Sequence, residues 1–178
     1  MSQADPKLMV FVRDKEVRIK VNGRADFTSS LDLKKLIAEL WQRGYDHFVF
    51  ELCDCVTMDS TFLGVLAGFG LKMSGPSPDS VQRRLELFNP NPRIADLLEN
   101  LGVLHLFEVA EGEIRLPEKV QGCDCAPANP TRDEVKRTCL EAHRTLMELN
   151  PDNVTRFKDL TQFLAEDLKK RNPPKPQA

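Results

Sequence analysis

Val56-Thr57-Met58-Asp59-Ser60-Thr61-Phe62-Leu63-Gly64-Val65-Leu66 is the stretch on which the reading of this chain turns. An apolar run stops at the polar triplet Asp59-Ser60-Thr61 and restarts with helical spacing, so the stretch reads as strand, turn and helix start. Asp59 is placed to cap the new helix by accepting a hydrogen bond from a backbone N–H of its first turn. Ser60 and Thr61 then fall in that first turn, where backbone donors lack intrahelical partners. A hydroxyl at such a place is suited to carry a phosphate, because free N–H groups and the positive end of the helix dipole both favour an anion. Taken alone, the triplet is more simply a helix cap, since Ser and Thr are common at helix starts for structural reasons.

Working outward, the segment before the triplet alternates strand and helix patterns. Leu8–Val12 and Val17–Val21 are two β-rich runs separated by the charged turn Arg13-Asp14-Lys15-Glu16. In the second run Val17, Ile19 and Val21 share one face and Arg18 and Lys20 the other, the period of a half-buried strand. After Gly23 come Thr28-Ser29-Ser30, a set of N-cap candidates, and then Leu33, Leu36, Ile37 and Leu40 at helical steps up to Gly44. His47–Leu52 is apolar on both faces, which suits a strand inside a sheet. Beyond the triplet, the helix carrying Leu63, Leu66, Ala67 and Gly70 ends at Ser74-Gly75-Pro76-Ser77-Pro78. Arg84–Phe88 resumes the strand pattern. Asn91 then caps a third helix with Pro92 at its first position, Ile94, Leu97, Leu98 and Leu101 along its stripe and Gly102 at its end. Leu104–Val109 is expected to be one more strand. The order ββαβαβαβ predicts an α/β fold with one mixed sheet faced by helices.

With 178 residues, of which 41% are hydrophobic and 29% charged, the composition is that of an ordinary globular protein with room for one domain and a smaller appendage. A net charge of −2 points away from nucleic acid and from anionic membranes as main partners. The N-terminal residues are short and polar, no run is long enough to span a bilayer, and the five cysteines are an odd number. A cytoplasmic protein with reduced thiols is expected. Cys53-Asp54-Cys55 and Cys123-Asp124-Cys125 would supply four thiolates for a zinc site if the chain brought them together, but the spacing is not that of zinc knuckles. Reduced, partly buried thiols are the reading taken, with no cofactor. His47, His105 and His143 are isolated in sequence from any Ser, Cys or carboxylate set that spacing would pair. No phosphate-cradling Gly-rich loop, nucleophile elbow or H-E-x-x-H is present, so no enzyme is expected.

Three segments in this order carry a resemblance. They are Val21-Asn22-Gly23-Arg24-Ala25-Asp26, Met58-Asp59-Ser60-Thr61, and Asn89-Pro90-Asn91-Pro92-Arg93-Ile94 through Leu101-Gly102-Val103. Residues about 8 to 110 resemble a STAS domain, the fold of the bacterial anti-sigma factor antagonists. The resemblance implies that Ser60 is the site a partner anti-sigma serine kinase phosphorylates, with Asp26 and Asp59 flanking it. It implies a partner face made by Asp26, Asp59, Ser60, Thr61 and Phe62, the Thr61 hydroxyl turned away, and release of the partner on phosphorylation. Phe62 departs from the glycine usual at that place in the family. That departure is the argument for an alternative, a non-switching adaptor like the STAS subunits that bind transporter ATPases. The paired C-x-C pieces are the argument for another, a zinc-stabilised interaction module.

The family pattern stops at residue 110. Residues 111–130 are expected to be a flexible linker with a short edge strand at Ile114-Arg115-Leu116. Residues 131–171 form a helical hairpin. Thr131 and Glu134 make a capping box ahead of Val135, Cys139, Ala142, Leu146 and Leu149, Asn150-Pro151 breaks the helix, and Val154, Phe157, Leu160, Thr161, Leu164 and Leu168 mark the second one. So small a pair cannot bury its apolar stripes alone. It must dock on the sheet domain, on a second copy as a homodimer, or on a partner, and docking within the chain is the reading taken. Residues 172–178 are expected to be a disordered tail.

Overall fold

A computed structural model describes residues 7–76, 82–113, 123–124 and 129–172. Strands β1 (Leu8–Arg13) and β2 (Glu16–Val21) pair antiparallel with Arg13 opposite Glu16. That register leaves a two-residue turn, and Asp14 takes φ 53°, a left-handed conformation that Asp tolerates. β2 then runs parallel to β4 (His47–Glu51), β4 to β6 (Arg84–Phe88), and β6 to β7 (Glu108–Ala110). The sheet order is β7-β6-β4-β2-β1-β8, where β8 is Cys123–Asp124, antiparallel to β1. Two residues of the expected linker thus serve as an edge strand. Most of the remaining linker, the expected edge strand at 114–116 and tail residues 173–178 lie outside the described residues.

Two short strands, of which only the one ahead of Asp59 was expected, place the first two helices. Gly23, at φ +67°, turns the chain out of β2 into β3 (Gly23–Ala25), and the chain leaving β4 similarly enters β5 (Cys55–Met58). β3 and β5 pair parallel in a separate two-stranded sheet. They deliver α1 (Phe27–Gln42) and α2 (Ser60–Ser74) with their starts side by side. Helix α3 (Pro92–Asn100) is capped by the Asn91 side chain on the Ile94 amide, with Pro92 at the first position. The expected last strand is shortened: Leu104–Leu106 closes a 3-10 turn, and only Glu108–Ala110 pairs with β6.

The core follows from the periodicities. Val17, Ile19 and Val21 of β2 are buried with Phe48 and Phe50 of β4, Leu85 and Leu87 of β6, Leu33, Ile37 and Leu40 of α1, Leu63 and Leu66 of α2, and Ile94 and Leu98 of α3. Phe48 and Trp41 both meet Phe69 edge-to-face, at centroid distances of 4.9 and 5.6 Å.

The C-terminal pair, α4 (Arg132–Leu149) and α5 (Asp152–Arg171), docks within the chain, with α4 packed on α2 and on the side of α1, and α5 on α4. The Thr131/Glu134 capping box is formed. Leu146 reaches the main core. Where α4 crosses α2 the backbones nearly touch. A Cβ on Gly64 would stand 2.5 Å from the Ala142 carbonyl oxygen, so only glycine fits there. The tip of the pair is clamped separately: the fully buried Asn153 amide donates to the carbonyls of Leu101 and Leu146 at 2.9 and 2.8 Å. The main apolar face of the hairpin is thereby used inside the chain. Val154, Leu160 and Phe163 of α5 stay exposed.

Candidate functional site

The site grows from the two adjacent helix starts. Asp59 accepts the Phe62 amide through Oδ1 and the Phe27 amide through Oδ2, each at 2.8 Å, while its own N–H donates to the Ala25 carbonyl at 2.9 Å. One carboxylate therefore satisfies an orphan donor on α2 and another on α1. The cap of α1 is Asp26, where Thr28-Ser29-Ser30 were the sequence candidates. The Asp26 carboxylate accepts from the amides of Thr28 and Ser29, and the Ser29 hydroxyl answers by accepting the Asp26 N–H in a reciprocal box.

The Lys7 ammonium also holds Asp26, at 2.8 Å. Burial pushes the Asp26 carboxyl pKa upward, but hydrogen bonds from Lys7, Thr28 and Ser29 outweigh it and bring it to about 2. A carboxyl whose pKa falls on folding stabilises the protein above its unfolded value and loses that contribution as pH drops through the folded value. Asp26→Asn keeps a capping oxygen but not the charge. It should be less stable than wild type by about 1 to 2 kcal/mol above pH ~4, discounted for solvent screening. Urea midpoints of the two proteins should converge as pH approaches 2; a gap independent of pH would refute this account.

Ser60 is the first residue of α2 and is half-buried. Its Oγ lies 2.8 Å from Nε2 of His143 on α4. His143 Nδ1 lies 2.7 Å from the Cys139 carbonyl oxygen, which can only accept, so Nδ1 carries the proton. In the neutral ring the Nε2 lone pair then faces Ser60, and the Ser60 hydroxyl donates to it. His143 is 2% exposed and packs edge-on against Phe157 of α5 at 4.7 Å. The isolation expected for the histidines is corrected here for His143, and also for His47, which meets Glu86 at 2.7 Å.

Thr61 turns inward and is buried under α4, its Oγ1 3.5 Å from Cys139 Sγ, so it offers little to an outside partner. Burial raises the Cys139 thiol pKa, against the lowering effect of the Thr61 hydrogen bond. Phe62 has no exposed surface at all and belongs to the core. As a core residue it presents no surface to a partner, contrary to its place in the expected partner face. Sequence reasoning missed His143 and Cys139. Their signal was a shared helical face: Cys139, His143 and Leu146 fall at i, i+4 and i+7 along α4.

The first C-x-C piece is divided between environments. Cys53 is exposed and contacts Glu51 through Sγ at 3.4 Å, whereas Cys55 is buried with Sγ toward the Thr57 carbonyl at 3.5 Å. Burial pushes the Cys55 thiol up to about 11. The side chains of Cys123 and Cys125 lie outside the described residues. Among the described residues no His, Cys, Asp and Glu side chains group as metal ligands, and no helix is long and apolar enough to cross a membrane.

The chain is similar in fold to a proposed anti-sigma factor antagonist (tm1081) from Thermotoga maritima. The TM-score is 0.50 at 19% identity, over 59% of this chain and 86% of that one. It is also similar to the anti-sigma factor antagonist SpoIIAA in its unphosphorylated form, with a TM-score of 0.49 at 18% identity, over 58% of this chain and 87% of that one. No curated protein is similar enough to match. The STAS domain model matches residues 8–116, which takes in β1 to β7, α1 to α3 and the Asp59-Ser60 turn. By that match the chain belongs to the STAS domain family.

Proposed function

We propose that this STAS protein is an anti-sigma factor antagonist that binds an anti-sigma serine kinase in the cytoplasm and is switched off by phosphate on Ser60. The observation that carries the reading is the position of Ser60 at the first residue of α2, directly after a carboxylate that caps α2 and α1 together. The protein acts as ligand and substrate of its partner, without catalysis of its own. A phosphate adds about −1.5 to −2 charge at neutral pH beside Asp59, enough to repel an acidic or apolar partner surface. The fold tolerates the charge because it sits at the positive end of a helix. The adaptor alternative loses its main support, because Phe62 is a core residue and cannot select a partner by contact.

The test uses a serine kinase recovered by pull-down with the full chain, incubated with ATP and followed by intact mass and calorimetry. Wild type should gain one phosphate, Ser60→Ala none, and Ser60→Asp should bind the kinase about tenfold or more weakly than wild type. Phosphate on a residue other than Ser60, or Ser60→Asp binding as tightly as wild type, would remove the switch.

A further inference from the structure

The helical pair that covers Ser60 lies outside the part of the chain that matches the family, since that match ends at residue 116 and α4 begins at Arg132. The face at the head of α2 is therefore already occupied by a segment of this same chain. Three contacts hold α4 there within one helical stretch: Ser60 to His143, Thr61 to Cys139, and Gly64 against the Ala142 backbone. We propose that the α4–α5 pair is the resident occupant of the partner-docking face, latched by the Ser60–His143 hydrogen bond. A partner reaches the face by displacing α4.

In the neutral ring the Ser60 hydroxyl is the donor and the Nε2 lone pair of His143 the acceptor, so the latch is one hydrogen bond across the α2–α4 seam. The covering role does not depend on Ser60 being a phosphoacceptor.

Cys139 reports on the cover, because it sits half-buried on α4 against Thr61 and becomes freely accessible only when α4 lifts. Cys55 in the core reports on global unfolding. The full chain is treated with iodoacetamide under native conditions, and modification of each cysteine is timed by peptide mass. Gly64→Ala drives a Cβ into the Ala142 carbonyl while strengthening α2 itself, so Cys139 should react about tenfold faster with Cys55 still protected. Ser60→Ala, which removes the latch alone, should accelerate Cys139 about fivefold.

Cys139 rates within about twofold of wild type in Gly64→Ala and Ser60→Ala would overturn the cover. So would Cys55 rising in step with Cys139, which would make the pair an inseparable part of the core. Accelerated Cys139 in a protein whose Ser60 no kinase phosphorylates would uphold the cover and sink the phosphoacceptor reading separately.

Discussion

Truncation after residue 120 is expected to leave a domain that melts on the order of 10 °C or more below the full chain and loses solubility. The deletion removes α4 and α5, and with them the buried side chains Leu140, Ala142, Leu146 and Leu164. Each large apolar side chain lost from a buried position forfeits about 1.5 to 3 kcal/mol. It also uncovers the glycine-bearing surface of α2, strips β8 from the edge of β1, and leaves the Leu101 carbonyl without the Asn153 amide. Calorimetric scans of the two proteins and sedimentation of the truncated one decide the matter. Unchanged melting with full solubility would show that the pair contributes nothing to the fold. This prediction is compatible with a movable cover, since lifting α4 is a minor state whose cost a partner must meet from its own binding energy.

Phe62→Gly, which installs the residue usual in the family, should cost about 4 to 6 kcal/mol. Emptying a buried phenylalanine site accounts for about 3 to 5 kcal/mol, and glycine in place of a side chain inside a helix adds about 1. Phe62 is fully buried in the main cluster, so its cavity cannot be relieved from the surface. A loss of that size is a large fraction of the 5 to 15 kcal/mol typical of a whole domain, and the variant should be substantially unfolded near 37 °C. Phe62→Leu should lose much less. Denaturant titration of the three proteins checks it. A loss below about 1 kcal/mol for Phe62→Gly would mean the side chain is not the core residue its burial indicates.

What was legible in the sequence was local. The Asp59 cap, Asn91 with Pro92, and the Thr131/Glu134 box all rest on residues within three positions of each other, and each is formed. The α1 cap was displaced to Asp26 because three consecutive hydroxyls offered equivalent candidates, and one of them, Ser29, turned out to be the answering half of the box. β3 was invisible because three residues are too few to show a period of two, whereas the strand ahead of Asp59 was read from the apolar run that stops there. Leu104–Leu106 carries strand-like apolarity, yet closes a 3-10 turn behind Gly102 at φ +69°. The contact that defines the candidate site joins residues 83 apart in sequence, and no spacing rule reaches across that distance. Phe62 was placed on the partner face by the family resemblance, although a helical residue two positions past Ser60 points about 200° away from it.

The two-residue pairing of β8 with β1 sets how strong an outside partner must be. Seven residues separate Asp124 from Arg132, so even fully extended they allow the start of α4 no more than about 28 Å of travel from the sheet edge. A helix tethered so closely competes for the face of α2 at an effective concentration in the millimolar range, whatever the amount of protein in solution. Any molecule arriving from outside must therefore outbid a local competitor that dilution cannot remove. Weak, transient encounters fail against it, and only a partner with affinity and abundance enough to overcome that fixed local concentration gains a hold. The edge strand, small as it is, makes the chain selective by threshold.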